Sequence, residues 1–463
     1  MKRTREQFRK ILRYIISLIL VFSHTAIFSY TWINNYNDYI VLPFVQKGNL
    51  LMYAIYSIVF ILFLAAFDGF KFGTFRPGNL IAGQFVSIAG TLFVVYMQIV
   101  LLSAKFVSPV PLFYTFVWDA IVSTVITYVA NVLYLKIFPP KRVLLLYDTY
   151  SPETFLLKLK QREDIFNVTK IMNVSEGIEK IEEYIENVDS VILYDVHTEN
   201  RNKILKICFE NNIRTYATSK ISDILIRGAE RLHIFDTPLL LYRNLGLTFM
   251  QHFFKRLFDI VFSLIMLIIT SPILLICAIA IKVYDRGPVF FRQARGTING
   301  KIFYIHKFRS MIVDAEKDGA PKPCEDFDPR ITPVGKVLRA TRLDELPQLI
   351  DVLFGNMSIV GPRPERIEHI KQYTEEIPEF QYRQKVRGGI TGLAQLYGKY
   401  NTSPYDKLQL DLMYIQNYSF LLDIRLILMT IKIMFMKEST EGFTKEKSEL
   451  INEKSHLEDD KNE

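Results

Sequence analysis

Two adjacent carboxylates, Asp344 and Glu345, are the residues whose type and spacing most directly suggest catalysis. Pro347 and a short apolar segment follow them. Proline is tolerated in the first turn of a helix but not in its interior, so a helix is predicted to begin near Pro347, with both acids at its N-terminal end. The helix dipole favours ionised carboxylates there, and a divalent cation would relieve their mutual repulsion. The pattern predicts metal-assisted phosphoryl chemistry, with Mg²⁺ held by Asp344 and Glu345.

A structural explanation of the same acids is also available. Thr341-x-x-Asp344 fits a capping box, which would start the helix earlier in the chain. Pro347 would then lie in the helix interior, where it removes a hydrogen bond and clashes with the preceding turn. The catalytic interpretation is therefore preferred over pure capping.

An arginine held between two prolines follows in the segment Gly361-Pro362-Arg363-Pro364. Pro362 and Pro364 restrict the backbone on both sides of Arg363, so ordering this loop costs little entropy. A guanidinium group can bind a phosphate through two parallel hydrogen bonds. We expect Arg363 to contact a substrate phosphate; an ordinary rigid turn with a solvated arginine is the alternative.

Other cations in this part of the chain lie next to aromatic or apolar residues, a pattern that suits anionic phosphates at a membrane surface. Lys307 lies in a strand predicted at Phe303–Phe308, and Arg309 follows this strand directly. Asp411 lies one turn from Tyr414 on a predicted helix and is a candidate for substrate binding, although a structural ion pair explains it almost equally well. The cations predicted to contact substrate are Arg295, Lys307, Arg309, Arg339, Arg363 and Arg387.

A long apolar segment, Leu257–Val283, precedes these residues and must position them. Ser271-Pro272 interrupts it near the middle; proline there removes a backbone hydrogen bond and causes a kink, while a serine hydroxyl can satisfy the freed carbonyl. Each half is about 20 Å long, too short for a bilayer core of about 30 Å. Cations at both ends favour a helix that enters and leaves the membrane on one side. A kinked spanning helix is the alternative.

Residues 1–140 contain four other apolar runs, each long enough to span a bilayer. Lysine and arginine are concentrated before the first run, between the second and third, and after the fourth. This distribution predicts that the N-terminus and everything after Arg142 are cytoplasmic. Asp119, the one acid inside a run, is predicted near the outer end of the fourth and is weak evidence for a proton relay. The runs are Ile11–Trp32, Leu50–Phe67, Leu80–Leu102 and Phe113–Phe138.

Residues 141–250 alternate between predicted strands and helices, which is typical of a small parallel sheet. The loop after the first strand has no glycine, whereas a nucleotide-binding sheet needs one for close approach of a pyrophosphate. Tyr216-x-x-x-Lys220 matches the spacing of short-chain dehydrogenases but falls at a strand end. A regulatory or packing domain is preferred. The strands are predicted at Val143–Tyr147, Val168–Met172, Ser190–Tyr194 and Ile213–Ala217, with a helix at Pro152–Arg162.

The composition agrees with a membrane protein. The chain has 463 residues, of which 50% are hydrophobic, and a net charge of +8. The basic residues lie beside apolar runs, which favours an anionic membrane surface over nucleic acid as their partner. Cys208, Cys277 and Cys324 are far apart, which favours reduced thiols over disulfides or a zinc site. The highly charged residues 441–463 are predicted to be a disordered tail.

Residues 252 to about 435 resemble the bacterial sugar transferases, which move a sugar 1-phosphate from a nucleotide sugar to polyprenyl phosphate. The N-terminal half is similar in architecture to the large, multi-domain branch of that family. Gly388 and Asn356 stand where many members have proline and aspartate, which blurs any inference about the sugar. The matching segments are KRLFD at 255–259, Ser271-Pro272, KFRSM at 307–311, LDELPQL at 343–349, NMSIVGPRP at 356–364 and GITGLAQ at 389–395.

The resemblance implies a membrane α-helical bundle plus α/β fold class. Four transmembrane helices at 1–140 are followed by a Rossmann-like parallel-sheet domain at 141–250. A mostly helical, membrane-associated catalytic domain at 251–440 contains a re-entrant helix at 255–284, bent at Ser271 and Pro272. The implied location is the bacterial cytoplasmic membrane, with the catalytic domain on the cytoplasmic face.

The resemblance also implies a reaction. Asp344 is the expected nucleophile, forming a covalent aspartyl-phosphosugar, and Glu345 helps to bind Mg²⁺. The implied substrates are a UDP-sugar and undecaprenyl phosphate, UMP is the product, and the context is exopolysaccharide, capsule or O-antigen synthesis. A homo-oligomer and contacts with other polysaccharide-assembly proteins are compatible with this assignment.

Three alternatives stay open at this point. The transfer could be direct, with both acids only binding Mg²⁺. A membrane-bound nucleotide-sugar dehydratase or epimerase would share the helical anchor and the sheet but needs the missing glycine turn. A non-catalytic scaffold of a capsule assembly complex would release no UMP.

Overall fold

The computed structural model describes residues 2–242, 246–313, 315, 328–398 and 402–434. They form two compact units, of which the first ends at Thr218 and the second begins at Ser219. The predicted tail at 441–463 and Cys324 lie outside the described residues. Cys208 and Cys277 are buried free thiols, as predicted.

The first unit opens with a bundle of four long helices, which match the four predicted runs. The aromatic core of the bundle includes Phe28 and Tyr56, whose rings stack with their centroids 4.3 Å apart. The outer faces expose leucine, isoleucine, valine and phenylalanine side chains, as expected of helices surrounded by lipid. The helices are α1 (Lys2–Asn35), α2 (Lys47–Ala66), α3 (Pro77–Ser103) and α4 (Val110–Ile137).

Asp119 of α4 lies deeper in this bundle than predicted. Its carboxylate accepts a hydrogen bond of 3.2 Å from the hydroxyl of Tyr56, which lies at the centre of α2. His24 of α1 faces it at 4.0 Å. The prediction that Asp119 lies near the outer end of its run is therefore wrong, because helix packing places it at mid-depth.

A small α/β sheet completes the first unit. Its elements are β1 (Lys141–Tyr147), α5 (Glu153–Lys160), β2 (Phe166–Asn173), α6 (Ile178–Ile185), β3 (Ser190–Tyr194), α7 (Thr198–Glu210) and β4 (Arg214–Ala217). All neighbouring strands are parallel, in the order β2–β1–β3–β4, which confirms the predicted parallel sheet. After β1, where a nucleotide-binding sheet carries glycine, the carboxylate of Asp148 accepts a 3.2 Å hydrogen bond from the backbone N–H of His197.

The second unit begins before residue 250, the boundary expected from the sequence. α8 (Ile221–Arg227) buries Ile224 in the core of the second unit, and the exposed hairpin of β5 (Glu230–Ile234) and β6 (Thr237–Leu241) follows. Residues from Ser219 onward therefore group with the second unit.

A single 37-residue helix, α9 (Phe249–Asp285), contains the predicted break point. The hydroxyl of Ser271 donates a 2.8 Å hydrogen bond to the carbonyl of Ile268, which is the carbonyl that Pro272 leaves without a donor. The helix therefore continues on both sides of Pro272, with the freed carbonyl satisfied by the Ser271 hydroxyl. Among the described residues, α1 from Gln7, α2, α3, α4 and α9 are long and apolar enough to span a membrane.

Short strands and helices make up the rest of the second unit. β7 and β8 form an antiparallel hairpin, and β9 pairs in parallel with β10. The strand predicted at Phe303–Phe308 is confirmed as β8. The elements are β7 (Phe290–Gly296), β8 (Ile302–Phe308), α10 (Pro333–Ala340), α11 (Gln348–Leu353), β9 (Ser358–Val360), α12 (Ile367–Glu376), β10 (Gly389–Thr391), α13 (Leu393–Tyr397), α14 (Pro404–Gln416) and α15 (Phe420–Met434).

Both ends of α9 are fastened to this unit by polar contacts. Near its start, Lys255 donates a 2.6 Å hydrogen bond to Asp423 of α15, and Asp259 accepts a 3.0 Å hydrogen bond from the first residue of β9. At its end, Asp285 pairs with Arg309. Consequently α9 is part of the framework of the unit and not only an anchor.

Candidate active site

The acid pair lies in a single 3₁₀ turn, Leu343–Glu345, between α10 and α11. α11 begins directly after Pro347, which confirms the predicted helix start. The hydroxyl of Thr341 donates a 2.7 Å hydrogen bond to the carbonyl of Val337 and so closes α10. The capping-box alternative is therefore wrong, since Thr341 ends one helix instead of starting the next.

Two cations hold Glu345. Its Oε1 accepts a 2.8 Å hydrogen bond from Nζ of Lys307, at the end of β8, and a 3.0 Å hydrogen bond from Nη2 of Arg363. Burial alone would raise the pKa of Glu345, but the charges of Arg363 and Lys307 outweigh burial and bring that pKa below its ordinary value. The structure thus brings Glu345, Lys307 and Arg363 together, and Glu345 is ionised.

Asp344 is in a different electrostatic state from its neighbour. Burial raises its pKa, and the adjacent Glu345 raises it further, whereas Lys307 and Arg339 oppose the shift. Among the described residues, no side chain donates a hydrogen bond to its carboxylate. The expected lowering of the carboxylate pKa values by the helix dipole is wrong for Asp344, because α11 has only 6 residues and burial dominates there.

The loop that presents Arg363 is held by the buried ion pair between Arg383 and Asp411. Nη2 of Arg383 donates a 2.9 Å hydrogen bond to the carbonyl of Arg363, and Nε of Arg383 donates one of 3.0 Å to Asp411. Arg383 and Asp411 are 4% and 1% exposed. Burial raises the pKa of Asp411 to about 6, and Arg383 opposes that shift. Asp411 therefore forms the structural ion pair that was the alternative to substrate binding.

Arg383 itself was not singled out from the sequence. It lies in the 3₁₀ segment Pro378–Lys385, which carries no recognisable motif. A buried arginine in such a segment could have been suspected only if the acid across the fold had been known.

The two prolines of the loop are also held by their neighbours. The carbonyl of Pro362 accepts a 2.9 Å hydrogen bond from the N–H of Gly389. Nη1 of Arg295 donates one of 3.1 Å to the carbonyl of Pro364. A Cβ on Gly388 would lie 2.5 Å from the ring of Pro364, so this close approach requires glycine.

Several of the cations that were predicted to bind phosphate form hydrogen bonds with residues other than the acid pair. Arg309 forms two hydrogen bonds with Asp285, and Nε of Arg387 donates a 3.1 Å hydrogen bond to the carbonyl of Gly355. Arg339 is closer to the site, since its charge affects Asp344, and its Nε donates a 3.0 Å hydrogen bond to the hydroxyl of Ser310. The structure therefore groups Lys307, Arg339 and Arg363 around the acids, and gives Arg295, Arg309, Arg387 and Asp411 other contacts.

The donor set is compatible with magnesium. No group of three or more metal-ligating side chains occurs among the described residues. Mg²⁺, however, is commonly bound by one or two carboxylates together with substrate phosphates. Because Lys307 and Arg363 occupy Oε1 of Glu345, the carboxylate of Asp344 and the second oxygen of Glu345 would hold the ion. Magnesium binding stays a prediction.

Comparison with known proteins decides the family. Residues 250–437 match the family described as bacterial sugar transferase. The Bacillus subtilis protein named "Uncharacterized sugar transferase EpsL" is 38% identical over 184 residues, which are 40% of this chain and 88% of that relative. The chain belongs to the bacterial sugar transferase family. The predicted membership is confirmed.

Larger bacterial sugar transferases match over part of their length. The UDP-glucose:undecaprenyl-phosphate glucose-1-phosphate transferase of Klebsiella pneumoniae is 43% identical over 219 residues, 46% of this chain and 45% of that relative. The UDP-N-acetylgalactosamine-undecaprenyl-phosphate N-acetylgalactosaminephosphotransferase of Aeromonas hydrophila is 38% identical over 233 residues, 50% of this chain and 54% of that relative. The chain therefore spans about half the length of these sugar transferases.

Proposed function

We propose that this protein transfers a sugar 1-phosphate from a UDP-sugar to undecaprenyl phosphate and releases UMP. The observation that carries the proposal is the difference in contacts between the two members of the acid pair. Glu345 is ionised, and Lys307 and Arg363 balance its negative charge. The carboxylate of the adjacent Asp344 accepts no side-chain hydrogen bond within the described residues. The names of the Klebsiella and Aeromonas relatives support this reaction type.

In the proposed first step, an Oδ of Asp344 attacks the sugar-proximal phosphorus of the UDP-sugar. A bond forms between that oxygen and phosphorus, and the bond from phosphorus to the UMP oxygen breaks. Lys307 and Arg363, which both bond to Glu345, would offset the charge that develops on the transferred phosphoryl group. When bound, Mg²⁺ would offset further charge there.

In the second step, a phosphate oxygen of undecaprenyl phosphate attacks the same phosphorus, and the bond to Asp344 breaks. Free Asp344 and the lipid-linked diphosphosugar result, so ping-pong kinetics are expected. The alternative is direct transfer, with both acids only binding Mg²⁺.

A labelling experiment separates these two mechanisms. The protein in nanodiscs is mixed with Mg²⁺ and UDP-sugar carrying a radiolabelled β-phosphate, without lipid acceptor, and the denatured protein is counted. We expect covalent label on the wild type, none on Asp344→Asn, and none after EDTA treatment. Glu199→Gln is the matched control because it removes an exposed carboxylate of the first unit that does not contact the acid pair, and its label should persist. Full UMP release by Asp344→Asn would refute the site. UMP release that occurs only after undecaprenyl phosphate is added, with no trapped label in its absence, favours direct transfer.

The sugar is best identified by screening UMP release over several UDP-sugars. The relatives' names include both glucose and N-acetylgalactosamine, so both belong in the screen. A dehydratase is less well supported. Tyr216 accepts a 2.8 Å hydrogen bond from Lys141, which is not the lysine of the dehydrogenase spacing.

We further propose that the second unit lies on the cytoplasmic face of the bacterial inner membrane. The lysine and arginine distribution in residues 1–142 supports this orientation. The contacts at both ends of α9 support a re-entrant course, because a straight crossing would carry one end to the opposite side. External labelling of a cysteine introduced at position 307 would contradict the orientation.

A further inference from the structure

The interior of the four-helix bundle contains a polar seam that the transfer reaction does not use. On α4, Thr115, Asp119, Ser123 and Thr127 recur every four residues and are at most 1% exposed. This spacing puts them on one face of the helix. Because buried polar and ionisable residues are costly inside a membrane, they commonly mark a functional site.

Side chains from the other helices extend the seam in both directions. The hydroxyls of Thr31 and Thr115 are 2.7 Å apart, near the start of α4. Towards its other end, Thr127 donates a 2.9 Å hydrogen bond to Gln84, which donates one of 3.2 Å to the carbonyl of Gly69. The seam therefore runs along most of the bundle, with Asp119 between its two ends.

Two ionisable side chains meet at the centre of the seam. Nδ1 of His24 lies 2.7 Å from the carbonyl of Leu20, which can only accept, so Nδ1 carries a hydrogen. Nε2 then faces the hydroxyl of Ser123 at 2.9 Å and Oδ1 of Asp119 at 4.0 Å. Oδ2 of Asp119 accepts from Tyr56, but Oδ1 is buried without a hydrogen-bond partner among the described residues.

Few charges compete for this pair. Within the described residues, α2 contributes the Tyr56 hydroxyl, and α3 contributes only neutral polar side chains to the buried interior: Gln84, Ser87, Thr91 and Ser103. A basic nitrogen and an unpaired carboxylate oxygen 4.0 Å apart can share or exchange a proton after a small movement.

A cavity adjoins the seam near the ionisable pair. It has a volume of about 580 Å³ and lies between α1 and α4. Thr31 and Thr115 are among its lining residues, and Thr115 precedes Asp119 by about one helical turn. Ala26 also lines the cavity, as does Ile27, which lies about one helical turn from His24. Water in the cavity could therefore approach the pair.

We propose that His24 and Asp119 form a proton-binding site inside the membrane bundle, which exchanges its proton through the cavity between α1 and α4. The proton comes from water in the cavity and returns to it, and only O–H and N–H bonds form or break. This inference is independent of the proposed transfer reaction, because the pair belongs to the first unit and the acid pair to the second.

The test uses the full chain in nanodiscs and dicyclohexylcarbodiimide, which reacts with protonated carboxyl groups in apolar surroundings. Labelled peptides are identified by mass spectrometry between about pH 5 and pH 9, which includes the range of about pH 5 to 8 in which histidine normally titrates. We expect label on the Asp119 peptide to fall severalfold as the pH rises. His24→Gln should move the half-labelling pH by about one unit or more, since a titrating neighbour is removed.

Controls distinguish exchange from static packing. Asp119→Asn should lose this label, while Asp68→Asn should retain it, because Asp68 lies after α2 and pairs with Lys71 at 3.0 Å. Ala26→Phe, which fills the cavity, should slow labelling severalfold. Labelling that is independent of pH, or unchanged in His24→Gln, would overturn the proposal. Absence of label on folded protein, when detergent-unfolded protein is labelled, would also overturn it.

Discussion

The Arg383–Asp411 ion pair allows the stability of the second unit to be separated from catalysis. Asp411→Leu leaves Arg383 buried, with Glu365 at 3.6 Å as its remaining ion-pair partner among the described residues. Removing one member of a buried ion pair costs about 3–5 kcal/mol. In a unit of this size each kcal/mol lowers Tm by about 2–4 °C, so we expect a fall of about 6–20 °C.

A second substitution should restore stability without restoring activity. Arg383→Met combined with Asp411→Leu replaces the pair by apolar side chains of similar volume, an exchange that is often neutral or stabilising. The carbonyl of Arg363 still loses the 2.9 Å hydrogen bond from Arg383, so Arg363 is less well positioned. A displacement of about 1 Å can cost about 100-fold in rate, so we expect kcat for UMP release to fall by about 10- to 100-fold.

Differential scanning fluorimetry in detergent micelles and the UMP-release assay measure the two effects. The control is Glu199→Gln, which breaks the 2.7 Å ion pair with Lys203. The side chains of Glu199 and Lys203 are 81% and 52% exposed. It should leave both quantities unchanged, since exposed ion pairs contribute little. A double variant that is as unstable as Asp411→Leu would refute the buried-pair reasoning. A stable, fully active double variant would refute the positioning role.

Two further predictions concern charge. The acid limb of kcat/KM should lie above about pH 3.9, the ordinary aspartate value, because burial and Glu345 raise the pKa of Asp344 and its ionised form is the proposed nucleophile. Glu345→Gln should move this limb to lower pH, and Lys307→Met should move it to higher pH. An acid limb at the same pH in the wild type and both variants would contradict its assignment to Asp344. Arg309→Gln and Asp285→Asn should each lower the free energy of unfolding by about 1–3 kcal/mol, since the two groups bond to each other. The double variant should cost less than the sum in chemical denaturation, and strict additivity would show that the pair is not coupled.

Local patterns predicted much of this fold. The four apolar runs became α1 to α4, and the tolerance of proline only at helix starts located α11. The alternation in residues 141–217 predicted the parallel sheet, because strand and helix periodicity are local properties. Family motifs placed the acid pair and Arg363 in one site, as the structure has them.

Contacts between distant residues were beyond such patterns. Lys307 and Glu345 are 38 positions apart, and nothing local indicates that a strand end meets a 3₁₀ turn. Arg383 was missed, and Asp411 was given a substrate role, because their pairing depends on how α14 packs. Asp119 was placed too shallow because the depth of a side chain depends on its neighbours in the bundle, here Tyr56 and His24.

The polar contacts of α9 have a consequence for how the protein is made. An ordinary membrane anchor can be exchanged for another apolar sequence. In α9, however, Lys255 bonds to Asp423 and Asp259 accepts a hydrogen bond from β9, inside the core of the second unit. α9 is synthesised before the residues that it binds, so the second unit can complete its core only once α9 is in place. Membrane insertion and folding of the second unit are therefore coupled, and a version without α9 would leave Asp423 and β9 without these polar partners.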